Sequence, residues 1–301
     1  MNLRNICFLI VALLLVSISG CSHLEIRKQS LHSKKIMIAD LPSHQPGEYF
    51  IYDSGLSKIA IKRTEEFIHW QYGNGATSQG YNNFLIPQIS WTTEVNTGKT
   101  TASASPDFLW PLSIGNSGKF STKQTIIRKN GTMEETERMW ECQVNGLKQI
   151  TVPAGHFDTY VIYCNRHSAT DGKWRGRMTY YYSPEIRQYV KLTKEYPRRP
   201  YAVEQLSRSG FNSKYLIEKD QNALQKALNK TLENGAAGVA RNWKSSSGEI
   251  SALLIPYQGY TGMEGQKCRE YRSVYSVVGR VHQHTRKACK TADGSWRGVD
   301  S

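Results

Sequence analysis

This 301-residue chain has no G-x-S-x-G nucleophile elbow, no H-E-x-x-H zinc motif and no phosphate-cradling glycine loop. Each absence removes the usual sequence basis for one reaction class: triad hydrolysis, zinc proteolysis and nucleotide hydrolysis. Acidic residues are also scarce, with 25 Asp and Glu against 39 Lys and Arg and a formal charge of +14. Glu134, Glu135 and Glu137 cluster on one polar run, and Asp158 sits beside a turn, so no carboxylate pair is spaced for glycoside cleavage. Long helical periodicity is missing outside one short segment. A basic excess of this size suits a partner bearing phosphates or carboxylates.

The N-terminus reads MNLRN, then ICFLIVALLLVSISG, then Cys21. One positive charge ahead of about fifteen mostly apolar residues, closed by small ones, is the layout of an export signal, and the run is short for a spanning helix. Ile18, Ser19, Gly20 and Cys21 resemble a bacterial lipobox. The resemblance implies cleavage before Cys21, which becomes a lipidated, N-acylated amino terminus. At about 0.8 kcal/mol per buried methylene, several acyl chains anchor durably to a membrane. Ser22 stands where an aspartate would favour inner-membrane retention, so the outer membrane is the expected location. Loss of residues 1–20 removes a single charge, Arg4, and leaves +13 of the +14. Export argues against nucleic acid as the partner of that charge and points to anionic lipid, lipopolysaccharide or an anionic wall polymer.

Of six cysteines, Cys7 leaves with the signal and Cys21 is used by lipid. Cys142, Cys164, Cys268 and Cys289 remain, an even number in an exported chain, which predicts disulfides. Three pairings exist, and the short spacings favour two local bridges. If Val278-Gly279 is a two-residue turn, the strands around it pair residues whose numbers sum to 557, as Cys268 and Cys289 do. Facing residues of an antiparallel pair are close enough for a disulfide. A bridge from Cys142 to Cys164 spans two β runs around Pro153 and is less constrained, because Asn145-Gly146 is itself a turn signal.

The remaining chain predicts a mainly β protein: an antiparallel curved sheet or partly open barrel, a short helical connector and a small C-terminal antiparallel module. The segments are a signal peptide at 1–20, a lipidated tether at 21–45, a β domain at 46–205, a helical connector at 206–235 and a β module at 236–301. Runs such as KFSTKQTIIR, MEETERMWECQV and HFDTYVIYCNR are separated by KNGT, PAG and TDGK turns. Ala223, Leu224, Ala227, Leu228, Thr231 and Leu232 recur at three and four, one face of a helix, with Asp220 suited to cap its start and Gly235 its end.

The stretch NALQKALNKTLENGAAGVARNWKSSSGEISALLIPYQGY, followed by GQKCREY, ACK and DGSW, resembles the C-terminal module of the bacterial seventeen-kilodalton surface antigen family of outer-membrane lipoproteins. The matching positions include Trp243, Gly248, Pro256, Tyr260, Cys268 to Tyr271, Ala288-Cys289, Asp293-Gly294 and Trp296. The resemblance covers about a quarter of the chain and implies a lipid-anchored envelope protein with no catalytic residues to carry over. It departs from the family in having a β domain where a glycine-zipper segment is usual. The VPAGHFDTYVIYC and YYYSPEIRQYVKL segments look like parts of exported curved-sheet proteins.

No enzymatic activity, cofactor or metal is therefore expected. His282 and His284 share one strand face but lack a third ligand, so a solvated edge is the expected setting. His156 sits at a turn with no evident acid partner, and His167, which follows Cys164, is expected to be exposed. Trp174, Arg175, Arg177 and Tyr181 form the expected ligand-binding group, aromatic faces for sugar rings beside guanidinium groups for acidic substituents. A lipid- or glycan-binding carrier is the alternative to an interaction or structural role. A wall hydrolase is a third reading, requiring two acids, or a Cys or Ser beside a His, in one cleft.

Overall fold

The computed structural model describes residues 39–299. The signal peptide, Cys21 and most of the expected tether lie outside the described residues. Twelve strands form a closed barrel: β1 (Glu48–Tyr52), β2 (Ser57–Arg63), β3 (Phe67–Tyr72), β4 (Thr77–Tyr81), β5 (Ser90–Thr92), β6 (Asn96–Ala102), β7 (Ser117–Arg128), β8 (Met133–Val152), β9 (Gly155–Ser168), β10 (Trp174–Ser183), β11 (Gln188–Glu195) and β12 (Ala202–Phe211). Each pairs antiparallel with its sequence neighbours, so successive turns alternate between the two ends. β1 also pairs with β12, Tyr49 facing Gly210 and Glu48 facing Phe211, and this contact closes the sheet. The Tyr49 phenol lies where a side chain on residue 210 would be, with its oxygen 2.3 Å from a Cβ placed there. Closure leaves this sheet no edge strand.

Alternation decides which face is which. Phe50, Tyr52, Trp70, Phe120, Trp140, Ile162, Tyr180 and Tyr182 are buried in one core cluster. The outer wall of β7 and β8 carries cross-strand pairs instead, Lys119 to Glu141 at 3.1 Å, Lys123 to Glu135 at 3.2 Å and Arg128 to Glu134 at 2.9 Å. An aromatic interior inside a charged wall is the reverse of a membrane-spanning barrel, whose outward band is apolar. No helix among the described residues is long and apolar enough to cross a membrane.

The chain enters this barrel earlier than the tether reading expects. Ala39 bridges to Leu112, and Ala39, Pro42, His44 and Gln45 are buried. The His44 ring meets Phe50 and Trp70 edge-on at 5.5 and 5.2 Å. Few of these residues are apolar, but the interior supplies rings for them to pack against. The barrel also extends to Phe211, because β12 takes up residues 206–211, which sequence reading assigns to the connector.

A 3-10 turn (Ser213–Tyr215) and helix α1 (Glu218–Asn234) lead to a five-stranded antiparallel sheet of β13 (Arg241–Lys244), β14 (Ile250–Thr261), β15 (Lys267–Val277), β16 (Arg280–Lys290) and β17 (Trp296–Val299). Leu224 packs with Trp243 and Leu254, and Leu232 packs with Tyr271 and Trp296. Ile217, not Asp220, occupies the N-cap position of α1. Asp220 is buried in the first turn and accepts from the Ser246 amide at 2.9 Å and the Ser246 hydroxyl at 3.2 Å, so it ties the helix to the β13–β14 turn.

Candidate functional site

Each sheet holds one disulfide. Cys268 faces Cys289 with Cα atoms 4.0 Å apart, and Val277 pairs with Arg280 around the two-residue Val278-Gly279 turn. Both turn residues have positive φ, 48° and 82°, the conformation that a two-residue turn of matching twist requires. Cys142 faces Cys164 at 4.1 Å. An unbroken ladder from the Val152–Gly155 pair would set Cys142 opposite Asn165. The register shifts between Val144 and Gly146, and this bulge brings Cys164 opposite instead. Asn145-Gly146 is thus a bulge within β8, not a turn.

The CREY segment resolves into fasteners. Cys268 is in the disulfide. The buried Arg269 guanidinium donates to the carbonyls of Leu232 and Gly235, both at 2.9 Å, and to Tyr257 O at 3.0 and 2.8 Å. It thereby satisfies carbonyls at the C-terminal end of α1, where intrahelical donors run out and positive charge is favoured. Tyr271 packs under Leu232. Glu233 accepts from the Trp296 indole at 3.0 Å and from Lys290 at 3.1 Å, and these bonds hold its carboxyl below the usual range.

Inside the barrel, Lys58 projects from β2 into the aromatic cluster. Its ammonium lies 4.5 Å from the Trp70 ring centroid, 5.4 Å from Tyr189 and 5.8 Å from Phe50. Burial lowers its pKa to about 8, against an opposing pull from Glu204. Glu204 accepts from the Tyr189 phenol at 3.3 Å and the Ser54 hydroxyl at 3.0 Å, and the Tyr52 phenol donates to Tyr189 O at 3.2 Å. Burial pushes the Tyr52 and Tyr189 phenols well up. Tyr52, Tyr189, Glu204 and Ser54 are thus linked into a polar thread beside the Lys58 ammonium, within an aromatic core. Sequence reading missed them; the weak signal is a lysine two residues before Ala60 on an inward-facing row.

Two open sites flank this framework. A cleft of about 580 Å³ lies at the barrel end formed by the 53–56 and 73–76 turns, lined by Tyr72, Ser78, Gln88, Trp91 and Gln124 among others. A groove of about 720 Å³ runs between α1 and the C-terminal sheet, with Leu228, Tyr271 and Trp296 in its wall and Lys214, Arg286 and Lys287 among its polar residues.

The group expected to bind ligand lies elsewhere. Trp174, Arg175, Arg177 and Tyr181 all sit on β10, and none lines either site. Arg175 is paired with Asp171 at 3.0 Å, Arg177 donates to Asn165 at 3.0 Å, and Lys191 lies over the Tyr181 ring at 5.5 Å. His282 and His284 are half-buried, not at a solvated edge: His282 stacks at 6.3 Å on Phe211, and the His284 ring is 3.1 Å from Phe211 O. The reason is long-range, since β16 lies against the end of β12. Burial lowers the His282 imidazole to about 4. His156 bonds to the Thr151 hydroxyl at 2.8 Å and His167 to Gly172 O at 3.2 Å. Among the described residues no three His, Cys, Asp or Glu side chains converge as a metal site.

No family model matches the chain. The resemblance to the 17 kDa surface antigen is found by comparison: the chain is 26% identical to that protein of Rickettsia bellii (strain RML369-C) over 83 residues, 28% of this chain. The chain spans about half the length of that curated relative, 52%. Among solved structures it is similar to the hypothetical lipoprotein YmcC from Escherichia coli (K12), with TM-score 0.38, 11% identity and coverage of 55% of this chain and 85% of that one. A protein described as exported, with a YmcC-like fold, from Bacteroides fragilis NCTC 9343 gives TM-score 0.33, 10% identity and coverage of 57% and 99%.

Proposed function

We propose that this is a non-enzymatic lipoprotein of the outer membrane, anchored through acylated Cys21, with an interaction or structural role in the cell envelope. The observation that carries the reading is one cross-strand disulfide in each sheet, in a chain whose amino end has the layout of a lipoprotein export signal. Disulfides of this kind persist outside the reducing cytosol. The partial similarity to a surface antigen agrees with an envelope location. The basic surface suits anionic lipid, lipopolysaccharide or wall polymer as a neighbour, and no nucleic acid partner is proposed. Labelling with radioactive palmitate and fractionating a Cys21→Ala variant tests the anchor. Label and membrane retention are both lost if Cys21 carries the lipid; unchanged retention contradicts the proposal.

A second reading, a lipid- or glycan-binding carrier, is favoured by the two open sites. Both fall within the usual volume of ligand pockets, about 300–1,000 Å³.

A further inference from the structure

We infer that the barrel-end cleft is a binding site for a neutral saccharide; this rests on the second reading above, that the chain is a binding module. Among the described residues the cleft is lined by no Lys, Arg, Asp, Glu or His, although the chain as a whole carries +14. A site for an acidic ligand would use that abundant positive charge. This one offers an indole, a phenol, hydroxyls and carboxamides. A neutral sugar needs that set, an apolar ring face against its C–H face and paired donors and acceptors for its hydroxyls.

The aromatic platform is built into the sheet. Trp91 on β5 pairs with Gly98 on β6, and its indole lies across the glycine backbone, with Cζ2 1.9 Å from where a Cβ would stand. Any side chain at 98 would displace the ring. Trp91 is only half-buried, so it is held in place and still lines the cleft. Gly80 does the same for the polar wall. A Cβ there would come 2.6 Å from Gln88 Oε1, so its absence lets the carboxamide lie against β4.

The hydrogen-bonding direction of that wall is fixed. Ser78 donates to Gln88 Oε1 at 3.1 Å, so the Tyr72 phenol, 3.1 Å from Ser78 Oγ, must donate to Ser78. Burial raises the Tyr72 pKa, which keeps the phenol protonated. Among the described residues the two Nε2 hydrogens of Gln88 and a lone pair on the Tyr72 oxygen have no partner and remain for a ligand. Donors and an acceptor then stand side by side, as vicinal sugar hydroxyls require.

The test is calorimetric titration of the detergent-solubilised full chain with tetrasaccharides of glucose, galactose, mannose and N-acetylglucosamine, and with tetragalacturonate as the acidic comparison. At least one neutral tetrasaccharide is expected to bind. Trp91→Ala should weaken it about tenfold or more, Trp91→Phe by only about threefold, and Arg177→Ala should leave it unchanged. Because Trp91→Ala removes packing on Gly98, Gln88→Glu serves as a second variant: it keeps the size, adds a charge and should also weaken binding about tenfold. Binding that survives both variants but falls with Arg177→Ala overturns the cleft and leaves the glycan reading standing. Preference for tetragalacturonate overturns the neutral assignment. No binding of any sugar overturns both the cleft and the glycan reading, while the anchor, tested separately at Cys21, is unaffected.

Discussion

Arg280, directly after the Val278-Gly279 turn, forms a buried ion pair with Glu48 at the start of the first barrel strand. The same guanidinium donates to Ile186 O, and Arg187 of the barrel donates back to Val278 O. The tip of the C-terminal hairpin is thus locked to the barrel end opposite the 53–56 and 73–76 turns. The other Glu48 oxygen accepts from the Gln45 amide at 2.7 Å. Burial lowers Arg280 to about 10, so it stays charged at neutral pH.

Removing one partner strands the other charge. Arg280→Met should cost about 3–5 kcal/mol in urea unfolding. Glu48→Gln combined with Arg280→Met should recover more than half of that loss, because no uncompensated charge remains. Equal losses in the single and double variants would refute the ion pair as the lock.

Lys58 gives stability an alkaline signature. Its ordinary pKa is about 10.4, and in the folded barrel it falls to about 8. Between those values the unfolded chain holds a proton that the folded chain has released, so stability rises with pH across that window. Below pH 8 both states are protonated and the folded state bears the full burial cost. Wild type should gain roughly 1–3 kcal/mol relative to Lys58→Met between pH 7 and pH 10. Above that, ionisation of the buried Tyr52 and Tyr189 phenols, both raised in the fold, works in the opposite direction. Parallel pH profiles for the two proteins would contradict this account.

Arg269 is irreplaceable by lysine on geometric grounds. Its planar fork reaches three carbonyl groups, two at the end of α1 and one on the neighbouring strand β14, and an ammonium cannot match that spread. Arg269→Lys should lower stability by about 2 kcal/mol and Arg269→Ala by about 3 kcal/mol. Amide hydrogen exchange at the C-terminal end of α1 should speed up in both. Unchanged exchange at 231–235 would argue against the capping role.

Much of the β framework was legible because its information is local. Turn dipeptides bound the strands, and the arithmetic around Val278-Gly279 pairs Cys268 with Cys289 without any tertiary knowledge. What escaped depends on contacts distant in sequence. Barrel closure rests on β1 meeting β12, whose paired residues lie 154 to 163 positions apart in the chain. Without that partner, residues 206–211 read as linker. His282 and His284 look solvated until Phe211 is placed beside them. The cleft was missed because its signal is two glycines, Gly80 and Gly98, whose meaning appears only when Gln88 and Trp91 lie on them. The β10 group of Trp174, Arg175, Arg177 and Tyr181 was attractive by composition, yet alternation sends both arginines to the outer wall, where they bind their own neighbours.

The most direct test of the account is the intact mass of the protein purified from its membrane fraction, alkylated with iodoacetamide before and after reduction. The account predicts a chain beginning at Cys21 with added acyl mass, no alkylation at Cys142, Cys164, Cys268 or Cys289 before reduction, and alkylation of all four after it. A chain that retains residues 1–20, or that carries free thiols at those four positions, would contradict it.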